Sequence, residues 1–279
     1  MKKWDGHTHT EYCPHGTIDD TERLVLRAIE LGFEKYSITE HGPLPTSFFE
    51  VASGAQDAID TAGIAWSDWE HYLKKMLRLK EKYKHDIEIT VGVELDYLAD
   101  FEEDTREFLA EYGVYLEESI LSVHFLNGVG GLRAIDYSAE DYHEGILTYY
   151  GDFQSAQEEY LRMVQKSIQA DLGKYKPKRI GHISLARKFF RSYTNENTDF
   201  SAKCHAYYQE IFNELRKKQL QIDFNMAGLF KENCLEMYPP VEILKQYGQG
   251  VKLVYGSDSH DLQDVGRGYE EFLSVVNLK

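Results

Sequence analysis

Two histidines close to the start of the chain have the spacing of a metal site. His7 and His9 lie two residues apart in the stretch Asp5-Gly6-His7-Thr8-His9. Residues i and i+2 of a β-strand point to the same face, so both imidazoles can reach one common point. Imidazole is a frequent ligand of divalent metal ions, but the same spacing also occurs on the polar outer face of ordinary strands. The pair alone leaves both interpretations open.

Seven short β-like runs alternate with helical patterns along the chain, and these elements would position any such site. The runs cover residues 3–9, 35–39, 87–94, 119–124, 179–183, 220–224 and 252–256. Helices are predicted over residues 19–31, 67–83, 101–112, 153–172, 201–217 and 241–247. This alternation predicts an α/β protein of βα units with a largely parallel sheet.

Most of the predicted strands end in a residue that can bind metal. These residues are His41 after the second strand, Glu94 in the third, His124 after the fourth, His182 after the fifth, and Asp258 with His260 after the seventh. Only the sixth strand, which ends near Asn225, lacks one. In barrels of βα units the C-terminal ends of the strands meet at one mouth. We therefore predict that these side chains come together there.

The loop after the first strand adds one more candidate ligand. Pro14 and Gly16 predict a turn that would bring His15 back over the mouth. Cys13 is expected to be a packed thiol, because a single soft thiolate is an unusual partner for nitrogen and oxygen ligands. The predicted set then comprises seven imidazoles and two carboxylates. The remaining histidines, interpreted as ordinary surface or packed side chains, are His71, His85, His143 and His205.

Taken in order, these residues resemble the motif series of the polymerase and histidinol phosphatase (PHP) superfamily. The motifs are His7-Thr8-His9, His15, Ile38-Thr39-Glu40-His41-Gly42, Gly92-Val93-Glu94, Ser122-Val123-His124-Phe125, Gly181-His182 and Gly256-Ser257-Asp258-Ser259-His260. The resemblance covers almost the whole chain. It implies a distorted (β/α)7 TIM-like barrel, formed by residues 1–279 as one domain, with the active site at the C-terminal ends of the strands.

The same resemblance implies a centre of three divalent metal ions. Nitrogen and oxygen ligands suit zinc, manganese or iron, and the sequence leaves the metal open among these. His7, His9, Glu94 and Asp258 would hold the first ion. Glu94 would bridge to a second ion, which His124 and His182 also hold. His15, His41 and His260 would hold the third.

The charge of such a centre suits a phosphate substrate. Three divalent ions with neutral imidazoles, two carboxylates and a bridging hydroxide leave about +3, which matches a dianionic phosphate monoester. The expected reaction is attack of the metal-bridging hydroxide on phosphorus, with Asp258 or His260 handling its proton. Arg187, five residues after His182, is predicted either to clamp the phosphate or to be a solvated side chain. Arg133 is a second candidate for that clamp.

Within the superfamily, the chain looks most similar to the histidinol-phosphate phosphatases of histidine biosynthesis. The implied reaction is hydrolysis of L-histidinol phosphate to L-histidinol and phosphate. A phosphoesterase acting on a nucleotide or sugar phosphate is the main alternative, because metal ligands do not specify the leaving group. A metal-binding module without catalytic activity is a further alternative, although all the expected ligands are present.

Composition and charge exclude several other classes of protein. The 279 residues carry a formal net charge of −16, so non-specific binding to nucleic acid or to an anionic membrane is not expected. We find neither a long apolar run nor a signal peptide, and the three cysteines form no Cys-x-x-Cys pair. These features predict a soluble, cytoplasmic protein with a small-molecule phosphate monoester as its partner. They carry no indication of oligomeric state.

One connection is too long for a plain turn between a strand and a helix. Residues 42–66 are rich in Gly, Ala, Ser and Asp. Such a segment predicts either a loop that covers the active site or a disordered surface insertion.

Overall fold

A sheet of seven parallel strands forms the centre of the computed structural model, which describes residues 2–276. In chain order the strands are β1 (Trp4–Asp5), β2 (Lys35–His41), β3 (Glu88–Asp96), β4 (Ile120–Ser122), β5 (Phe125–Gly128), β6 (Gly131–Ala134), β7 (Arg179–Ile180), β8 (Gln221–Asn225) and β9 (Lys252–Gly256). Strands β5 and β6 form a separate antiparallel hairpin. The other seven pair in the order β1-β2-β3-β4-β7-β8-β9, and all seven correspond to predicted strands.

The sheet curves into a nearly closed barrel. The Gly6 amide donates to the Tyr255 carbonyl at 2.8 Å, and Thr8 forms a parallel bridge with Ser259. The first strand thereby meets the last. Closure brings the C-terminal ends of all seven strands around one mouth.

Strand register sets which side chains are neighbours at that mouth. Strands β2 and β3 pair over seven residues, from Lys35 opposite Glu88 to His41 opposite Glu94. Strand β8 pairs with β9 so that Asn225 lies opposite Gly256, directly before the segment that carries Asp258. The register therefore places His41 and Glu94 side by side and sets Asp258 two residues beyond the last pair of β8 and β9.

Helices follow most of the strands and cover the outside of the barrel. They are α1 (Thr21–Glu30), α2 (Phe48–Val51), α3 (Gln56–Asp60), α4 (Trp66–Lys82), α5 (Glu102–Tyr112), α6 (Ala139–Tyr142), α7 (Thr148–Tyr150), α8 (Phe153–Gln169), α9 (Ala202–Lys218), α10 (Val241–Tyr247) and α11 (Tyr269–Val276). A π-helical turn, His143–Leu147, joins α6 to α7. All six predicted helices are present, with ends displaced by a few residues.

Local sequence explains where several helices begin. The side chains of Asp20, Asp152 and Ser201 accept hydrogen bonds from the first-turn amides of α1, α8 and α9. Each satisfies a donor that the helix itself cannot pair. Helix α4, predicted from residue 67, starts one residue earlier after Ala65, so Ser67 lies within its first turn and does not cap it.

Helix α4 shows how the outer layer is attached to the barrel. Its buried face carries Trp69, Tyr72 and Met76. Burial of each such side chain contributes about 1.5–3 kcal/mol. The Tyr72 hydroxyl also donates to the Gly92 carbonyl at 2.7 Å, which ties the helix to β3 two residues before Glu94. No described helix in residues 2–276 is long and apolar enough to cross a membrane.

The long connection after β2 is ordered and contains two short helices that were not predicted. Phe48, in α2, is fully buried and contacts Phe125 with ring centroids 4.9 Å apart. Ile59, in α3, belongs to the same small apolar cluster. The connection therefore has its own core, which holds α3 over the mouth of the barrel. Of the two predicted alternatives, the structure agrees with a covering segment and not with a disordered insertion.

Candidate metal centre and active-site cavity

The structure brings all nine predicted ligands together at the mouth of the barrel. They are His7, His9, His15, His41, Glu94, His124, His182, Asp258 and His260. Glu94 is central and almost fully buried. Its Oε2 lies 3.0 Å from His7 Nε2, and its Oε1 lies 2.9 Å from His182 Nε2. A single carboxylate therefore connects the first strand with the fifth of the barrel.

Three pairs of imidazoles face each other through their Nε2 atoms. These atoms are separated by 3.2 Å between His7 and His9, by 3.1 Å between His124 and His182, and by 3.2 Å between His15 and His260. Two nitrogens bound to one tetrahedral zinc ion lie roughly 3.3 Å apart, given zinc–nitrogen bonds of 2.0–2.1 Å. The spacing of each pair is therefore that of two imidazoles bound to one ion.

The remaining predicted ligands lie between these pairs. Asp258 Oδ1 is 3.1 Å from His9 Nε2, and His41 Nδ1 is 3.4 Å from Glu94 Oε2. Cys13 also approaches His9, His41 and His260. Burial raises the pKa of the Cys13 thiol, so the protonated thiol is favoured over the metal-binding thiolate. This placement agrees with the prediction that Cys13 is a packed residue.

Three buried carboxylates orient the imidazoles from outside the cluster. Asp223 accepts from His7 Nδ1 at 2.8 Å, Glu40 from His9 Nδ1 at 3.1 Å, and Asp96 from His124 Nδ1 at 2.9 Å. With the proton held on Nδ1, the lone pair of Nε2 points into the cluster. Such partners fix the tautomer of a ligand and strengthen its basicity.

Sequence analysis missed these orienting residues, although the chain offered a signal for two of them. Asp96 lies two residues after Glu94 on β3, and Asp223 lies two residues before Asn225 on β8. The sixth barrel strand, which had no predicted role, therefore contributes to the site. Asn225 Nδ2 donates to Asp258 Oδ2 and to Asp223 Oδ2, at 3.1 Å in both cases.

The backbone holds Asp258 in a conformation that few residues other than glycine adopt. Its φ angle is 53°, in the left-handed region that aspartate tolerates better than most residues do. The Asp258 amide donates to the His7 carbonyl at 2.9 Å. Arg267 Nη2 donates to the Asp258 carbonyl at 3.2 Å. These contacts aim the carboxylate at the cluster at the cost of some backbone strain.

The electrostatics of the cluster favour positive charge. Burial opposes the charge of Glu94, but His7 and His124 outweigh it and hold the pKa of Glu94 well below its usual range. Burial likewise disfavours protonated imidazole, yet Asp96 and Glu94 raise the pKa of His124 to about 10. Hydrogen bonds to Asp258 and Glu40 raise the pKa of His9 to about 9 against burial. A divalent cation would meet the same attraction and displace these protons.

A cavity of about 440 Å³ opens over the cluster, a size typical of a small-molecule site. Three cations that were not predicted line it: Lys188 after β7, Lys231 after β8 and Arg267 after β9. Desolvation at the wall lowers the pKa of Lys231, and the nearby charges of Lys188 and Arg267 lower it further. Binding of an anion between these cations and a metal centre would relieve their mutual repulsion.

Arg187 does not line this cavity, and the structure corrects the prediction that it clamps a phosphate. Its Nε donates to Glu236 at 3.0 Å, and its Nη1 donates to the Thr198 carbonyl at 2.6 Å. The guanidinium also lies over the rings of Phe190 and Phe200. The 3₁₀ turn Leu185–Arg187 directs Arg187 into the protein, and Lys188 faces the cavity instead.

Arg133 is likewise engaged elsewhere. Its Nη2 donates to Asp141 Oδ1 at 2.8 Å, and both side chains are buried beside the β5–β6 hairpin. It holds this hairpin in place and does not line the cavity.

Comparison with known proteins agrees with this geometry. Residues 5–227 match the PHP domain. The chain belongs to the PHP family. A relative from Bacillus subtilis (strain 168), named histidinol-phosphatase, is 36% identical over 274 residues, which cover 98% of this chain and 99% of the relative.

Two solved structures share this fold. A protein from Listeria monocytogenes, described as a candidate histidinol phosphatase, is 50% identical and superposes with a TM-score of 0.94 over 97% of this chain and all of its own. Histidinol phosphate phosphatase from Lactococcus lactis, solved with zinc, L-histidinol and phosphate, is 19% identical with a TM-score of 0.70, covering 98% of this chain and 94% of its own. The predicted distorted TIM-like barrel is thereby confirmed.

Proposed function

We propose that this PHP protein is a histidinol-phosphate phosphatase, which hydrolyses L-histidinol phosphate to L-histidinol and phosphate. The observation that carries the chemistry is the set of three facing imidazole pairs beneath a cation-lined cavity. The choice of leaving group is supported by the Bacillus subtilis relative, since the two chains match over nearly their entire lengths. We propose that residues 1–279 serve this activity as one domain in the cytoplasm, where a charged phosphate monoester that cannot cross a bilayer unaided would be retained.

We propose that the site holds three divalent ions, with zinc, manganese or iron as the candidates. His7, His9, Glu94 and Asp258 would hold the first, and Glu94 with His124 and His182 the second. His15, His41 and His260 would hold the third. The donor set fits these metals, because imidazole nitrogens and carboxylate oxygens are their usual ligands. Bound there, the ions would lower the pKa of a water nucleophile and neutralise charge on the phosphate.

We propose Asp258 and His260 as the side chains that handle the proton of the attacking water. Burial and the neighbouring His9 lower the pKa of His260 well below its usual range, which favours the neutral imidazole that a metal ion binds. Asp258 Oδ1 lies 3.6 Å from His260 Nδ1. Although burial opposes it, the charge of His7 and a hydrogen bond with His9 hold the pKa of Asp258 well below its usual range. We propose that the Asp258 carboxylate accepts the proton and returns it to the leaving oxygen, while His260 stays neutral beside it.

We propose that the cations of the cavity wall bind the phosphate together with the ions. Lys188 pairs with Asp136 at 3.2 Å and keeps further donors, because an ammonium group has three N–H bonds. Lys231 has a lowered pKa through desolvation, which a phosphate dianion would reverse. Arg267 holds the Asp258 backbone and adds its charge. We propose Lys188 and Lys231 as the direct phosphate contacts.

The leaving-group assignment is tested by phosphate release from a panel of substrates. We expect the purified, metal-loaded protein to hydrolyse L-histidinol phosphate with a kcat/KM roughly 100-fold above that for a sugar phosphate or a nucleoside monophosphate. A preference for one of those esters would instead favour another phosphoesterase activity. Absence of hydrolysis for every ester, in protein shown to contain metal, would favour a non-catalytic module.

Neighbouring cations after β7 are expected to respond in opposite ways to substitution. Lys188→Gln removes a phosphate contact, so kcat/KM should fall by about 10–100-fold, while loss of its single, partly exposed ion pair with Asp136 should lower the free energy of unfolding by only about 1 kcal/mol. Arg187→Gln leaves Glu236 without its partner in a largely buried pair, so unfolding should become easier by about 3 kcal/mol. Steady-state kinetics and urea unfolding of both variants measure this contrast. Loss of kcat/KM at unchanged stability in Arg187→Gln would restore Arg187 as the clamp.

A further inference from the structure

Two chemically different groups of residues line the cavity above the metal centre. Lys188, Lys231 and Arg267 follow the last three barrel strands and supply its cations. The second group comes from α3 with the residue after it and from the segment that follows β6. It carries Asp57, Ala58 and Tyr137. An occupant that is anionic at one end and cationic at the other would match this arrangement.

Among the carboxylates of the cavity, Asp57 is set apart by its partners. Asp136 and Asp264 pair with Lys188 and Arg267. Glu94 and Asp258 belong to the metal centre. Asp261 accepts from the backbone amides of Gln263 and Asp264. Within residues 2–276, no cation pairs with Asp57, whose carboxylate accepts only from a neutral hydroxyl, that of Tyr137 at 3.1 Å.

The position of Asp57 is fixed relative to the metal centre through one helical turn. The Thr61 hydroxyl donates to the Asp57 carbonyl at 2.7 Å. The Thr61 carbonyl in turn accepts from His15 Nδ1 at 2.8 Å. Four residues of helix span roughly 6 Å, so Asp57 lies one helical turn from the residue that contacts His15, a predicted ligand. The ammonium and imidazole groups of histidinol phosphate lie several bonds from phosphorus, so they extend away from a phosphate held at the metal centre.

We propose that Asp57, oriented by Tyr137, is the residue that recognises the cationic end of the substrate and so selects the leaving group. The proposal rests on the proposed function, because it takes histidinol phosphate as the substrate. The phosphate lies between the metal centre and the lysines, and the ammonium or imidazolium group then faces α3. Binding there supplies Asp57 with its missing cation. In this arrangement the covering segment determines substrate specificity, and the residues at the strand ends carry out the reaction.

The ratio of kcat/KM for L-histidinol phosphate to that for 4-nitrophenyl phosphate, whose leaving group carries no positive charge, tests this role. In metal-loaded Asp57→Asn we expect the ratio to fall by about 10–100-fold, chiefly through a higher KM for histidinol phosphate. Tyr137→Phe removes only the orienting hydroxyl, so its ratio should fall by about threefold. Metal content is measured in each sample, so that a disturbed centre is recognised.

Asp60→Asn is the matched control, because Asp60 lies on the same helix and is exposed like Asp57, but it does not line the cavity and accepts from Gln56 Nε2 at 2.8 Å. Its ratio should equal that of the unmodified protein. An unchanged ratio in Asp57→Asn, or an equal loss for both esters, overturns the role of Asp57 while leaving the proposed function intact. An unmodified protein with no preference for histidinol phosphate removes the proposed function itself, and with it this inference.

Discussion

Replacing Glu94 with alanine should reduce kcat/KM for histidinol phosphate by roughly 10³-fold, because several kcal/mol of metal-based charge stabilisation would be lost. The Glu94 carboxylate contacts His7 and His182 at 3.0 and 2.9 Å and accepts from the Ser122 hydroxyl at 2.5 Å. Among the described residues, Glu94 alone contacts one imidazole pair through one carboxylate oxygen and a second pair through the other. Metal content per chain should therefore fall together with activity.

Glu88→Ala is the matched control for this variant. Glu88 opens the same strand but is exposed, and its carboxylate pairs with Lys2 at 2.6 Å. Exposed pairs of this kind contribute about 0–1 kcal/mol, so activity and metal content should stay unchanged. Elemental analysis and steady-state kinetics on both proteins make the comparison. Full activity in Glu94→Ala would remove the proposal that this carboxylate bridges two ions.

Removal of metal is expected to have an equally large effect and to act on stability as well. A protein treated with chelator should lose activity and unfold at a temperature several degrees lower. A ligand present at 100 times its dissociation constant stabilises the folded state by about 2.7 kcal/mol. Without metal, the buried carboxylates and imidazoles at the mouth of the barrel would have only protons to balance their charges. Calorimetry and phosphate release, before and after chelation, measure the two effects.

Selective restoration distinguishes a built metal site from general ion effects. Zinc, manganese or iron should restore activity, with saturation near three ions per chain. Magnesium and calcium should restore little, because both prefer oxygen ligands and the site is mostly nitrogen. Full activity in a sample shown to be free of metal would contradict the proposed centre. Saturation at one or two ions per chain would instead show that the site holds fewer ions than we propose.

The sequence determined the barrel strands and the nine converging side chains, for a reason specific to this architecture. Parallel strands bring their C-terminal ends to one edge, so a residue type that recurs at strand ends also recurs in space. His41 and Glu94 illustrate the point, since both end their strands and lie opposite each other in the β2–β3 register. Histidine is also informative in itself, because few structural roles would place it at successive strand ends.

Only the tertiary structure decided which other charged residues belong to the site. Asp223 resembles an ordinary strand carboxylate until barrel closure brings it to His7, and Asp96 does so until the pairing of β3 with β4 brings it to His124. Arg187 and Lys188 are neighbours of equal charge, and a single 3₁₀ turn directs one into the protein and the other into the cavity. Asp57 depends on a segment held over the mouth by its own small core. Ligand positions follow strand periodicity, whereas these side chains depend on turns and packing that no local pattern specifies.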